Sequence, residues 1–289
     1  LAYAKDLQED KALTFAAFDD FAQASQAGRM ANSGRLEAAL FAAAAAAELI
    51  RTSYRGAVDV RVKPDGSPVT DADVAAEQAI RAVVQGRFPE DGFYGEESAA
   101  DRLDAERLWI VDPIDGTKSF VRRYPMFSTQ IALMHRGRLE LGVSCAPVYG
   151  ETAWAERGGG AWQDGAPLAV SPIATLEEST VSTGNLRTLA NGPRWAALGR
   201  LVSRLDRIRG FGDFLHYHLL AAGKIEAVIE SDINILDIAA LTVIVEEAGG
   251  RVTDLEGAPI GLGSRSILAS NGRLHETILG ALNPPTLTR

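Results

Sequence analysis

Helices are predicted where apolar residues recur every three to four positions, a spacing that is clearest at residues 70–88. The Ala-rich run at 40–50 predicts a buried amphipathic helix, because a membrane span needs roughly 20 apolar residues and this run is much shorter. The predicted helices are 35–54, 70–88, 195–205, 212–223, 236–250 and one at the C-terminus.

Short apolar runs separated by turn residues predict strands, and between residues 127 and 170 they predict a β-meander. The other predicted strands are 59–63, 92–95, 108–111, 179–183, 226–231, 251–255 and 266–270. Helices and strands in this order predict an α+β or α/β layered architecture. We divide the chain into an N-terminal extension of open status (1–33), an α+β sub-domain (34–171) and an α/β sub-domain (172–289).

The composition limits the partners and the compartment. A formal charge of −9 and a pI near 5.1 argue against nucleic acid or an anionic membrane as partner, since both reward clustered Lys and Arg. The one cysteine, Cys145, cannot form an internal disulfide, which suits a reducing compartment and predicts a cytoplasmic location. Its strand-like surroundings predict a buried, inert thiol.

Acidic residues stand at the ends of several predicted elements. Singly they have ordinary explanations: Asp71 or Asp237 as a helix N-cap or a partner of the helix dipole, and Glu96 with Glu97 as an exposed turn. Together they form a set of oxygen ligands that favours Mg²⁺, Mn²⁺ or Ca²⁺, and the four histidines have no spacing suited to zinc. The set is Asp71, Asp73, Glu96, Glu97, Asp112, Asp115 and Asp237.

Four blocks of the sequence are specific enough to compare with a known family. They are KPDGSPVTDAD (63–73), GEES (95–98), WIVDPIDGTKSF (109–120) and LDIAALTVIVEEAGG (236–250), with ASN (269–271) near the end. In this order they resemble the inositol monophosphatase family of magnesium-dependent, lithium-sensitive phosphatases. One departure is Leu236, which stands where the family usually has Trp before its late metal-binding aspartate.

The resemblance implies a fold and a metal centre. The fold is α+β, a layered α-β-α-β-α sandwich, and the active site holds two or three Mg²⁺ ions, with Mn²⁺ as an alternative. Glu96, Asp112 and the Ile114 carbonyl would bind one metal, while Asp112, Asp115 and Asp237 would bind a second. A homodimer and inhibition by lithium are implied as well.

The same resemblance implies catalytic and phosphate-binding roles. Thr117 and Glu96 would hold a metal-bound water as the nucleophile, with Asp73 orienting it through Thr117. Asp115 and the backbone N–H groups of Gly116 and Thr117 would contact the phosphate. Lys63 is interpreted either as a residue that steers the phosphate or a loop, or as an exposed structural lysine.

The pocket beyond the phosphate is implied to lie in the block RGFGDFLHYHLLAAGKIEAVIE (209–230). Inositol phosphatases usually have a small residue where Asp213 stands here, and an acidic residue at the position of Glu230. Two carboxylates favour a substrate with an ammonium group, since charge-assisted hydrogen bonds are roughly twice as strong as neutral ones. The block resembles the histidinol-phosphate phosphatase branch, so hydrolysis of L-histidinol phosphate is the leading hypothesis.

Three alternatives stay open at this point. Asp213 is also explained as a cap of a helix that begins at Phe214. The substrate is alternatively myo-inositol phosphate or another sugar phosphate, whereas a bisphosphate is disfavoured because no basic cluster is evident for a second phosphate. A catalytically silent metal-binding relative is disfavoured by the intact set of acidic residues.

Overall fold

The computed structural model describes residues 33–56, 59–63, 66 and 68–284. The predicted extension therefore lies outside the described residues, except for Ser33, whose hydroxyl oxygen accepts a hydrogen bond from Leu36 N–H and caps the first helix. The helices are α1 (Gly34–Arg55), α2 (Asp71–Arg87), α3 (Thr117–Val121), α4 (Leu186–Asn191), α5 (Trp195–Val202), α6 (Asp213–Ala221), α7 (Ile235–Glu247) and α8 (His275–Leu282).

The strands form two large sheets and one hairpin. β1 (Val60–Val62) and β2 (Pro68–Thr70) make the hairpin. The seven-stranded sheet has the order β3-β4-β5-β6-β7-β8-β9, and the five-stranded sheet has the order β11-β10-β12-β14-β13. Their strands are β3 (Gly92–Gly95), β4 (Arg107–Asp115), β5 (Ser128–His135), β6 (Arg138–Ala146), β7 (Glu151–Glu156), β8 (Ala161–Gln163), β9 (Ala166–Leu168), β10 (Thr180–Gly184), β11 (Arg207–Arg209), β12 (Ala227–Ser231), β13 (Arg251–Thr253) and β14 (Ser266–Ser270).

The two sheets and their helices stack in five layers. Helices α1 and α2 cover one face of the seven-stranded sheet, and α7 packs on its other face and on the five-stranded sheet. Helices α4, α5 and α8 lie beyond the five-stranded sheet. Strand β4 shows why the first sheet is buried on both sides: Trp109 belongs to the core under α1 and α2, and its neighbour Ile110 belongs to the core under α7. The expected α-β-α-β-α sandwich is confirmed.

Most predicted elements are present, with differences at their ends. The meander is found as strands β5 to β9, and the Ala-rich run forms most of the buried face of α1. Strand β4 continues four residues beyond the predicted end at residue 111, and helix α4 and strands β2 and β11 were not predicted, since the sequence at 65–70 indicated a turn. Among the described residues no helix combines the length and the apolarity needed to cross a membrane. The division at residues 171 and 172 falls between the two sheets and stays a proposal.

Candidate active site

A β-bulge in strand β4 places Asp112 and Asp115 on the same side of the sheet. Side chains three residues apart on a regular strand point to opposite faces. Here Asp112 pairs with Gln130 and Asp115 pairs with Ser128, so β4 has one residue more than β5 in this interval. Pro113 lies within the bulge, one of the few places where a sheet tolerates proline. The extra residue allows the two carboxylates to converge.

A glycine turn then leads from β4 into α3. Gly116 has a φ of +91°, and a Cβ there would lie 2.6 Å from the Met126 carbonyl oxygen, so no other residue fits without movement. The next residue, Thr117, has its hydroxyl oxygen 3.0 Å from the Ile114 carbonyl oxygen and 3.1 Å from Asp73 Oδ1. Asp73 and Thr117 are thus in contact although 44 residues separate them.

Helices α2 and α7 begin with the same type of capping box, and each box orients one aspartate. In α2, Asp73 Oδ2 accepts hydrogen bonds from the N–H of Thr70 at 2.8 Å and from its hydroxyl at 2.5 Å. In α7, Asp237 Oδ2 accepts a hydrogen bond from Asn234 N–H at 2.8 Å. The N-caps are Thr70 and Asn234, so the interpretation of Asp71 or Asp237 as the N-cap is wrong. Both residues do lie in the first helical turn, as the alternative interpretation as helix-dipole partners requires. Asp73 and Asp237 each lie at the third helical position, where one carboxylate oxygen is hydrogen-bonded to the N-cap residue.

Asp112, Asp115 and Asp237 form an acidic cluster, in which one carboxylate oxygen from each residue lies within 4.8 Å of the other two. Burial raises the pKa of Asp112 and Asp115 well above the usual range, and the surrounding carboxylates raise both further. Burial also raises the pKa of Asp237 to about 7. Among the described residues, none of the three has a Lys or Arg partner within ion-pair distance. Such mutual repulsion is what a bound cation relieves.

Glu96 lies beside this cluster and makes contact with a lysine. Its charge raises the pKa of Asp112, second only to the effect of burial. Lys63 Nζ lies 2.8 Å from Glu96 Oε1 and 2.6 Å from Glu97 Oε1. Burial lowers the pKa of Lys63, but the hydrogen bonds and charges of the two glutamates outweigh it and raise the pKa above its usual value. The lysine side chain is only 16% exposed, so the interpretation as an exposed structural lysine is wrong.

Asp213 and Glu230 form an acidic wall on the side of helix α6. The N-cap of α6 is Gly212, and Asp213, with a φ of +47°, is the first residue of the helix. The interpretation of Asp213 as the helix cap is therefore wrong. Burial raises the pKa of Asp213 to about 6, with Glu230 adding to the effect. Charges on both wall residues also raise the pKa of Asp115 and of Asp237, so the wall adjoins the acidic cluster.

Glu230 differs from its neighbour Asp213 because one of its oxygens contacts two side-chain hydrogen-bond donors. It is buried near the end of strand β12, and its Oε2 lies 2.8 Å from the Tyr217 hydroxyl and 3.1 Å from His216 Nε2. Neither His216 nor Tyr217 was picked out by sequence reasoning. Their positions three and four residues after Asp213 were the available signal, since such residues share one face of a helix.

The comparisons with known proteins agree with this geometry. The model of the inositol monophosphatase family matches residues 32–284. This chain belongs to that family. It is 42% identical over 253 residues to a histidinol-phosphatase of Mycobacterium tuberculosis, covering 85% of this chain and 96% of the relative. It is also 37% identical over 216 residues to the fructose-1,6-bisphosphatase/inositol-1-monophosphatase of Thermotoga maritima, covering 74% and 82%.

A solved structure supports the same membership. Extragenic suppressor protein suhB from Bartonella henselae superimposes with a TM-score of 0.81 at 31% identity, covering 88% of this chain and 100% of that structure. The chain is thus a phosphomonoester hydrolase with the inositol monophosphatase fold. Its acidic cluster is consistent with the metal dependence of the family.

Proposed function

We propose that this protein is a Mg²⁺-dependent phosphomonoesterase that hydrolyses L-histidinol phosphate to L-histidinol and phosphate. The observation that carries the substrate assignment is the acidic wall beside the metal cluster. Asp213 and Glu230 offer two carboxylates to the part of the substrate beyond the phosphate. A polyol needs only neutral hydrogen bonds there, whereas an ammonium group is stabilised by two negative charges.

The residues of the cluster fit a divalent cation of the hard, oxygen-binding type. Asp112, Asp115 and Asp237 supply carboxylate oxygens, and we assign Glu96 and the Ile114 carbonyl to the same centre. Neither His nor Cys belongs to this set, which favours Mg²⁺ or Mn²⁺ over zinc. When bound, two or three such cations would neutralise the phosphate and favour attack by water.

The remaining roles follow from hydrogen bonds of the chain itself. The Thr117 hydroxyl donates its proton to Asp73 Oδ1, which leaves the Thr117 oxygen free to accept a proton from the attacking water. Glu96 would accept the second proton of that water and so fix its direction of attack. Asp115 and the N–H groups of Gly116 and Thr117 would contact the phosphate, and the φ of +91° at Gly116 sets the direction of these N–H groups.

A panel of phosphate-release assays with Mg²⁺ tests the proposal. The substrates are histidinol phosphate, inositol 1-phosphate, fructose 1,6-bisphosphate and 3′-phosphoadenosine 5′-phosphate. We expect the highest kcat/KM for histidinol phosphate. A higher value for inositol 1-phosphate would replace the proposed substrate with the sugar phosphate alternative and leave the phosphatase chemistry intact. Absence of hydrolysis across the panel would favour the catalytically silent alternative.

A further inference from the structure

The two oxygens of the Glu230 carboxylate have different surroundings. Oε2 receives both internal hydrogen bonds, from the Tyr217 hydroxyl and from His216 Nε2. Oε1 receives no hydrogen bond from the described residues. The side chain as a whole is only 7% exposed, but Oε1 is not among the fully buried atoms without a partner, so this free acceptor is open to a ligand that enters the site. A buried carboxylate with one oxygen held and one free is suited to receive a donor from a substrate.

The hydrogen bonds around His216 define which of its nitrogens carries a proton. Phe211 N–H donates to Ser182 Oγ at 3.2 Å, and Ser182 Oγ lies 3.1 Å from His216 Nδ1. With the Ser182 proton directed at Nδ1, the ring proton sits on Nε2 and points at Glu230. All of Ser182 and His216 is buried, so water does not substitute for either partner. The backbone N–H of Phe211 thereby fixes the orientation of the His216 ring through the Ser182 hydroxyl.

Tyr217 donates the second hydrogen bond to the same oxygen, Glu230 Oε2. Burial raises the pKa of Tyr217 well above its usual value, and the charge of Glu230 raises it further. The phenol therefore stays a donor throughout the pH range of the assays. Tyr217 and His216 thus both donate to Glu230 Oε2, and together they fix the orientation of the carboxylate.

Space for the free oxygen comes from a glycine in the adjacent strand. Gly184 on β10 pairs with Glu230 on β12, and a Cβ at position 184 would collide with Glu230 Oε1. The φ of Gly184 is not in the left-handed region, so its backbone conformation is open to other residues. Glycine is thus required at position 184 because a side chain there would occupy the space of the Glu230 carboxylate.

We propose that Tyr217 and the Ser182–His216 pair are positioning residues that hold the Glu230 carboxylate in one orientation, in which its Oε1 accepts a hydrogen bond from the ammonium group of the substrate. This inference rests on the proposed function, and it adds the residues that fix one of the two carboxylates of the wall. No described residue donates a hydrogen bond to the Asp213 side chain, so the wall offers an anchored carboxylate and an unanchored one to the same cation.

The test compares histidinol phosphate with glycerol 2-phosphate, which lacks an amine. In Tyr217→Phe we expect KM for histidinol phosphate to rise about tenfold, as for loss of one hydrogen bond to a charged group, with a much smaller change in kcat. His216→Leu is also expected to raise KM for histidinol phosphate. His216→Gln, whose amide N–H reaches the place of Nε2, is expected to restore KM to within about threefold of the parent. Gly184→Ala is expected to raise the same KM by moving the carboxylate.

His275→Leu is the matched control for a purely structural role. His275 is also fully buried and also contacts two polar partners, Ser270 Oγ at 2.9 Å and Thr253 Oγ1 at 3.0 Å, but neither partner belongs to the site. We expect it to lose thermal stability with an unchanged preference between the two substrates. If Tyr217→Phe and His216→Leu likewise keep the parent's preference, the positioning role is overturned and the proposed function stands. If the parent itself does not prefer histidinol phosphate, the proposed substrate and the positioning role are both wrong.

Discussion

The acidic cluster and the acidic wall lie side by side, but the groups that surround their buried carboxylates differ. In the cluster, Asp112, Asp115 and Asp237 approach one another without a Lys or Arg partner among the described residues. In the wall, Glu230 Oε2 accepts hydrogen bonds from the Tyr217 hydroxyl and from His216 Nε2. The first arrangement fits a cation taken up from solution, whereas in the second a carboxylate is oriented by hydrogen-bond donors of the fold itself. On the proposed function, the cluster is the metal centre and the wall is the surface that recognises the substrate.

The largest expected effect comes from removing divalent cations, which acts on the cluster alone. We expect phosphate release to fall to background in excess EDTA and to return when Mg²⁺ is added beyond the chelator. EDTA saturated with Mg²⁺ before mixing is the control for effects of the chelator itself. Inhibition by millimolar Li⁺ is expected from the family resemblance. Full activity in free EDTA would remove the metal mechanism.

The second prediction concerns Asp112→Asn, which is expected to abolish phosphatase activity while the protein still folds. The amide oxygen of Asn can accept the hydrogen bond from Ile114 N–H that Asp112 Oδ1 accepts at 2.9 Å. The loss of charge should weaken binding at both proposed metal positions, since Asp112 is shared between them. Steady-state kinetics and a thermal melt measure the two parts of the prediction.

Asp71→Asn is the control for that substitution. Asp71 begins helix α2 two residues before Asp73, but it is exposed and pairs with Arg61 at 2.6 Å, outside the cluster. We expect it to keep parental activity. If Asp112→Asn retains activity within tenfold of the parent with normal Mg²⁺ dependence, the two-metal assignment is wrong.

The third prediction addresses the wall through Asp213→Asn. Loss of a hydrogen bond between charged groups costs about 1.5–3 kcal/mol, so kcat/KM for histidinol phosphate should fall roughly ten- to a hundredfold. Asn tolerates a positive φ such as the +47° found here, so the backbone should be retained. Hydrolysis of glycerol 2-phosphate should change little. An equal loss on both substrates together with a lower Tm would show a structural role instead.

The sequence was sufficient to predict the layered fold and the residues of the cluster, because these rest on local patterns. Apolar periodicity gave the helices, and the DPIDGT block marked Asp112 and Asp115. The bulge that turns both carboxylates to one side depends on pairing with β5, 13 or more residues away along the chain, and no local pattern encodes it. The homodimer, the lithium sensitivity, the cytoplasmic location and the absence of nucleic-acid or membrane partners stay predictions.

The contacts of Lys63, His216 and Tyr217 were missed for a related reason. Each is a single residue whose partner lies elsewhere in the chain, such as Glu96 for Lys63, 33 residues away. A lone lysine or histidine is compatible with many environments, so its type says little without the fold. The N-caps Thr70 and Asn234 lie one and three residues before Asp71 and Asp237, which the sequence offered for that place, because Asp is favoured both at the N-cap and in the first turn.

The smallest expected effect is on the stability of the cluster without metal, tested with Asp237→Asn in EDTA. Folding raises the pKa of Asp237 from 3.8 to about 7, so the stability associated with its protonated form is present below pH 3.8 and is lost as the pH rises through 7. Asn does not ionise, and its amide oxygen can still accept the capping hydrogen bond from Asn234. The variant should therefore melt a few degrees higher than the metal-free parent at pH 8, about 2–4 °C per kcal/mol for a protein of this size. The gain in Tm should shrink as the pH is lowered to 5, and added Mg²⁺ should make the parent the more stable of the two at pH 8, because it stabilises the parent alone.

Melting curves that show the variant less stable than the parent in EDTA at pH 8 would mean that repulsion in the cluster is relieved without a metal. The contrast between cluster and wall would then be wrong.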